Sequence, residues 1–343
     1  MEKILIIGAG IMGTALSVHL GKNGHKVNLW GTQWDKDILD KMKETKSHDT
    51  LDVDIHNNVS FYYEEELKDA FKDVDLIIIA VVAKGMDYIS KKINPYLDKN
   101  HIILTITKGI DDSTLATMTQ VVENSLPEKL RGKIRMVKLG GPIIAKEFAH
   151  GKLTEGILVS ENIEAAKYVS DLFKSSKFKS NISTDIKGVE ICAAFKNSYA
   201  IVMGIMDGLE EDSNNPKAAI MARGIMEMAN IVEAFGGNRE TAMGIAGVGD
   251  YYVTSQSGRN GKFGRILSQG KSIQEALEIM DNATVEGISM TLNGYKLLKE
   301  LEDKDKFDFK KNAPLFLEIY KILYQGKDID EAIKDYWNRD SFE

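Results

Sequence analysis

A single cysteine, Cys192, leaves the 343-residue chain without a partner for an internal disulfide, and no Cys/His group has the spacing of a zinc site. A reducing, cytoplasmic setting and a site without metal are the expectations. The amino terminus, MEKILIIGAG, has too short an apolar run for a secretory signal. The longest weakly charged stretch, Ile191 to Met206, is interrupted by Lys196 and Asn197 and falls short of the roughly 20 apolar residues of a membrane span. Basic excess is missing as well. A net charge of -7 argues against a nucleic-acid partner, so any bound anion must meet a local cluster of cations. No Pro-rich or Ser-rich linker, internal repeat or low-complexity segment interrupts the chain.

What is present is enough chain for two domains with their own cores, at 43% hydrophobic and 28% charged residues. The first half alternates apolar runs with amphipathic stretches: KILIIG, HKVNLW, VSFYY, DLIIIAVV, IILTIT, IRMVKL, GILVS and FKSNIS. Runs such as LIIIAVV read as strands buried on both faces, which predicts a parallel, doubly wound α/β sheet over residues 1–186. From about Lys187 strand-like runs give way to helical spacing, through AAIMARGIMEMANIVEAFGG and APLFLEIYKILYQGK, with glycine stops at Gly236, Gly237 and Gly326. An all-α second domain is predicted over residues 187–343.

Chemistry-bearing residues gather in four places. Gly8, Gly10 and Gly13 lie between an apolar strand and an amphipathic helix, the context in which glycines turn tightly and let a dinucleotide pyrophosphate approach a helix amino end. Beyond the second strand stand Gly31, Thr32 and Gln33 rather than a ribose-binding acid, with Asp35 the first carboxylate, so NAD and NADP both remain open. Lys108 follows a strand at the edge where open α/β sheets bind ligands; the alternative is a solvated loop lysine. Gly140, Gly141 and Pro142 make a turn at another such strand end, which serves equally as an ordinary connection.

Lys196 is the one charged side chain between Glu190 and Asp207 in an otherwise apolar helix. Burial disfavours its charged form and would suit it to proton transfer, whereas snorkelling would leave it an ordinary cation. Asn197 beside it reads as a surface amide or a ligand group. The run GVGDYYVTSQSGRNGKFG places Asp250, Thr254, Arg259 and Asn260 among glycines, as a ligand loop or a solvated one.

Taken in order, GAGIMGTAL, TKGI, GGPIIAKE, FKNSYAIVMGIMDG, NPKAAIMARGIMEM, the glycine-rich run and VEGI resemble the NAD(P)-dependent glycerol-3-phosphate dehydrogenase family over nearly the whole chain. The resemblance implies a Rossmann-type domain followed by a helical one, with substrate held in a cleft between them. It implies reversible hydride transfer between NAD(P)H and dihydroxyacetone phosphate, giving glycerol 3-phosphate for glycerophospholipid synthesis, in a homodimer. Lys196 matches the family's catalytic lysine, Lys108 the second active-site lysine, Asp250 and Thr254 groups near the reacting atoms, and Arg259 with Asn260 the phosphate-binding pair. Gly141, Asn197 and Gly258 fall on the substrate side. Gly8, Gly10, Ile11, Met12, Gly13, Ala145, Arg259 and Glu286 fall where the family touches cofactor.

Departures from the pattern bear on specificity. Ile143 and Ile144 stand where Ser or Thr and then Phe are usual, and Gly258 replaces a serine before Arg-Asn. The same chemistry on another polyol phosphate or related ketone is therefore an alternative, as is a nicotinamide-binding sensor without turnover.

Overall fold

Strands that are apolar at every position need cover on both faces, and in the amino-terminal half helices supply it. The computed structural model describes residues 1–210 and 213–339. The chain forms two compact units: Met1–Asp111 with Ala116–Ile186, and Asp112–Leu115 with the chain from Lys187 onward. In chain order the first unit's strands are β1 (Lys3–Ile7), β2 (Lys26–Trp30), β3 (Ser47–His48), β4 (Val53–Asp54), β5 (Val59–Tyr62), β6 (Leu76–Ile79), β7 (Ile102–Thr105), β8 (Arg135–Gly140), β9 (Thr154–Val159) and β10 (Phe178–Ser183). Eight form one sheet in the order β10-β9-β8-β7-β6-β1-β2-β5, while β3 and β4 pair apart from it as a short antiparallel ladder that the apolar patterning does not signal.

Along β1 the side chains divide between two cores. Ile4 and Ile6 join Leu16, Val18, Leu29 and Leu104 on one face, and Leu5 and Ile7 join Ile77, Met86, Ile89 and Met118 on the other. Strand order reverses between β1 and β6, which leave β1's neighbours on opposite sides and open a crevice beyond its carboxyl end. The fingerprint glycines begin there.

One expectation is corrected. The sheet is not wholly parallel, because β9 runs antiparallel to β8 and β10 follows β9. The helix between β8 and β9, Ala145–Ala149, has only five residues. Five helical residues rise about 7.5 Å, too little to return the chain along a strand of about 20 Å, so β9 starts from the edge where β8 ended.

The second unit has no strand among the described residues and is built around the 24-residue helix Ile186–Leu209. That helix is longer than the weakly charged stretch suggests and is long and apolar enough to cross a membrane, yet 94% of its apolar window is buried inside the protein. It is a core helix, closely approached by others. A Cβ on Gly204 would stand 2.0 Å from the Gly261 carbonyl oxygen, and one on Gly264 2.0 Å from that of Ile201. The glycine-rich run is accordingly not a loop. It folds as a π-helical turn, Ile245–Gly249, and two helices, Asp250–Ser257 and Arg259–Ser268. Much of its glycine serves backbone-to-backbone packing.

Candidate functional site

In the first unit, the three fingerprint glycines meet different constraints. Gly8 has φ +105°, and its N–H donates to the Trp30 carbonyl at 2.8 Å. A Cβ on Gly13 would lie 1.9 Å from the Gly8 carbonyl oxygen, so glycine there lets helix Ile11–Lys22 sit against the turn. A Cβ on Gly10 would meet nothing within 4 Å. Packing therefore does not account for Gly10. It is the helix N-cap and offers no side chain to the first turn, so the amide ends at Ile11 and Met12 suit an anion such as a pyrophosphate. Asp35, which caps helix Lys36–Thr45, accepts from the Thr32 N–H and Oγ1 at 2.8 Å each and from the Ala9 N–H at 3.3 Å. The first acid after β2 thus ties the glycine turn to the β2 end.

Lys108 follows β7, and its Nζ donates to the Gly141 carbonyl at 3.4 Å, joining the loops beyond β7 and β8. Gly141 has φ +105°, which only glycine adopts easily. Ile143 and Ala145 are partly buried and pack against the sheet core. A further buried cation, Lys138, lies close to Lys108 in the fold, one not among the residues singled out from the sequence. It is 1% exposed on β8, and its Nζ donates to the Thr107 carbonyl, next to Lys108. Thr107 Oγ1 donates to the Val81 carbonyl at 2.7 Å. The signal was a lysine inside an apolar strand, IRMVKL, where burial without a partner is costly.

In the second unit the singled-out residues are linked to one another. Lys196, on the long helix, is 4% exposed, and its Nζ lies 2.5 Å from Asp250 Oδ1 and 2.8 Å from Thr254 Oγ1. Asp250 and Thr254 share a face of one helix at i and i+4, and the threonine hydroxyl also donates to the Asp250 carbonyl at 2.7 Å. The lysine does not snorkel. Its buried carboxylate partner favours the ammonium form and opposes the effect of burial.

Asn197, on the same turn as Lys196, is buried. Its Oδ1 accepts from Asn260 Nδ2 at 3.0 Å, while Asn260 Oδ1 accepts from the Gly287 N–H at 2.8 Å. Asn260 joins three helices and keeps one amide N–H for another acceptor. Arg259, first in its helix, pairs with Glu286, first in helix Glu286–Glu302, and both side chains are about half exposed. The guanidinium has five N–H donors, so this pair leaves others for an oxyanion.

Gly258, the break between the two helices, has a steric cause. A Cβ there would lie 2.5 Å from the Thr254 carbonyl oxygen. Gly258→Ser is therefore expected to destabilise the protein by about 1–3 kcal/mol through overpacking. Thermal unfolding measures it; an unchanged midpoint would show that the helix junction relaxes freely.

Among the described residues no group of three His, Cys, Asp or Glu side chains could hold a metal ion. The arrangement is a buried ammonium held by a carboxylate and a hydroxyl, beside an amide clip and an exposed guanidinium.

Comparison with known proteins agrees with both halves. The family model described as NAD-dependent glycerol-3-phosphate dehydrogenase N-terminus matches residues 3–166, and the corresponding C-terminus model matches residues 185–334. Glycerol-3-phosphate dehydrogenase [NAD(P)+] of Bacillus pumilus is 35% identical over 342 residues, 99% of this chain and 95% of that one. NADP(+)-dependent glycerol-3-phosphate dehydrogenase of Archaeoglobus fulgidus is 34% identical, covering 96% and 97%. The crystal structure of glycerol-3-phosphate dehydrogenase from Coxiella burnetii superposes with a TM-score of 0.85 at 29% identity, covering 98% of this chain and 99% of that one. With both family models matched in order and relatives aligned from end to end, the chain belongs to the NAD-dependent glycerol-3-phosphate dehydrogenase family.

Proposed function

We propose that the protein is an NAD(P)-dependent glycerol-3-phosphate dehydrogenase that interconverts dihydroxyacetone phosphate and sn-glycerol 3-phosphate. The observation that carries this reading is the buried Lys196 ammonium with Asp250 and Thr254, in a chain whose family members are so named. NAD or NADP, when bound, supplies the hydride donor and acceptor. The turn at Gly8, Gly10 and Gly13 and the amide ends at Ile11 and Met12 would hold its pyrophosphate, with Ala145, Arg259 and Glu286 as further contacts.

In reduction, Lys196 Nζ gives its proton to the carbonyl oxygen as the hydride reaches the carbonyl carbon; in oxidation the neutral amine takes the hydroxyl proton. Asp250 and Thr254 orient the ammonium so that a proton points at the substrate oxygen. Lys108 supplies a second cation for the developing alkoxide. Arg259 and the remaining Asn260 N–H bind the phosphate, with Asn197, Gly141 and the Gly258 junction shaping the substrate side. A cytoplasmic homodimer feeding glycerophospholipid synthesis belongs to this proposal.

Ile143 and Gly258 supply no hydroxyl, which motivates a second reading with the same chemistry on another polyol phosphate. Nicotinamide absorbance followed across a panel of phosphorylated and free ketones decides between them: greatest kcat/KM on dihydroxyacetone phosphate supports the first, and on another ketone the second. Cofactor binding without turnover on any member would identify a sensor.

Gly10 and Gly13 separate cofactor contact from packing. Gly10→Ala is expected to shift the thermal midpoint by no more than about 3 °C, because its Cβ meets open space, while weakening dinucleotide binding about tenfold or more. Gly13→Ala is expected to destabilise the fold, since its Cβ strikes backbone. Calorimetric titration with NADH and NADPH beside thermal unfolding checks both, and undiminished binding by Gly10→Ala would remove the pyrophosphate assignment.

A further inference from the structure

Behind the Lys196–Asp250 pair lies a second buried ionisable group to which the proposed reaction assigns no role. Glu227, on helix Asn215–Ala234, accepts at Oε2 from the Tyr199 hydroxyl at 2.9 Å and the Phe316 N–H at 3.0 Å, and at Oε1 from the Leu315 N–H at 2.6 Å. Tyr199 stands one turn after Lys196 on the same helix, fully buried, and its carbonyl accepts from the Tyr251 hydroxyl at 3.2 Å. Tyr251 is the residue after Asp250. One carboxylate therefore fixes the phenol next to the lysine, and that residue in turn holds the helix that carries the aspartate and threonine.

The need for such a clamp is local. Asp250 opens its helix immediately after the π-helical turn IAGVG, whose two glycines give little intrinsic rigidity. We propose that Glu227 is a positioning residue for the Lys196–Asp250 pair, acting through Tyr199 and Tyr251. The proposal rests on the reading of Lys196 as proton donor.

Burial raises the Glu227 carboxyl from its ordinary value of 4.5 to about 7, against the lowering effect of its three donors and of Arg339. The groups facing this centre are Tyr199, Tyr251 and Tyr336, with Arg223 and Arg339 acting on it or on Tyr336. Two opposite pH trends follow. Ionisation completes the clamp, because both oxygens then only accept, so turnover rises as pH passes 7. Stability moves the other way: a carboxyl with a raised native value contributes stability that is fully present below about 4.5 and is lost as pH rises to about 7. A group that only held the fold together would move activity and stability in the same direction.

The experiment measures kcat, KM and thermal midpoint from pH 5.5 to 9 for the wild type, Glu227→Gln, Tyr199→Phe, the double variant and Glu318→Gln. Glu318 is a buried carboxylate paired with Lys321 and Lys327 and serves as the stability control. Glu227→Gln and Tyr199→Phe are each expected to lower kcat about tenfold with KM changed by less than about twofold, and the double variant to be no worse than either single one. The turnover limb near 7 vanishes in Glu227→Gln, whereas Glu318→Gln lowers the midpoint and keeps the limb. Unchanged kcat and pH profile in Glu227→Gln, or additive losses in the double variant, would overturn the proposal. If Glu227→Gln does not fold, wild-type kcat in Tyr199→Phe overturns it alone. A separate Lys196→Ala variant that retains full turnover removes the underlying proton-donor reading instead.

Discussion

Lys196→Ala is expected to lower turnover of dihydroxyacetone phosphate about 10³-fold, the usual contribution of a positioned general acid. The same substitution acts on stability by a separate route. Asp250 is 1% exposed, and removing the ammonium 2.5 Å from its Oδ1 takes a charged partner from a buried carboxylate. Breaking a buried pair from one side costs about 3–5 kcal/mol, whereas removing both charges is far milder. The double variant Lys196→Ala/Asp250→Ala is therefore expected to recover much of the lost stability and none of the turnover. Steady-state kinetics and thermal unfolding on the single and double variants separate the two effects. Activity in Lys196→Ala within a few-fold of wild type would remove the lysine from the chemistry, and activity recovered along with stability would show that the lysine only shapes the fold.

The central strands were legible because burial on both faces leaves a continuous apolar run, and LIIIAVV and IILTIT carry little else. The fingerprint was legible because its demands are partly local: Gly8 turns at positive φ and Gly13 packs on the Gly8 carbonyl within the same turn. Lys196 stood out as a charge in an apolar helix. The reversal at β9 was hidden, since strand direction depends on connection length and GILVS reads the same either way. The glycine-rich run misled for a related reason. Glycine in a cluster signals a loop, but here Gly264 packs on the Ile201 carbonyl and the Gly261 carbonyl lies against Gly204, both contacts with the long helix, while Gly247 and Gly258 fit against carbonyls of the preceding turns. Glu227 was invisible because ARGIMEMANIVEAF places it like a solvated position of an amphipathic helix, and the amides that hold it come from a helix 88 and 89 residues away. Lys138 does carry a sequence signal, a lysine within the apolar run IRMVKL, but the Thr107 carbonyl that it meets lies on the loop after a neighbouring strand and is not readable from that run.

The remaining large effect concerns recognition rather than proton transfer. Arg259→Gln is expected to lower kcat/KM for dihydroxyacetone phosphate by roughly 10²–10⁴, since two hydrogen bonds to a charged oxyanion at about 1.5–3 kcal/mol each amount to about 3–6 kcal/mol. The fold should not register the change. Arg259 and Glu286 are 51% and 45% exposed, and an ion pair so solvated contributes little to stability. The phosphate dependence is the sharper test: with dihydroxyacetone, which carries no phosphate and leaves only the arginine's cofactor contact to lose, Arg259→Gln should lower kcat/KM far less than with the phosphorylated ketone. Glu286→Gln releases the guanidinium from its competing carboxylate and is expected to lower KM for the phosphorylated substrate several-fold, the opposite sign to Arg259→Gln. Kinetics on both ketones with both variants resolve the assignment. If Arg259→Gln loses equally on the two ketones, the arginine serves the cofactor rather than the phosphate, and the one amide N–H of Asn260 not given to Asn197 would be left as the sole phosphate donor proposed on that helix.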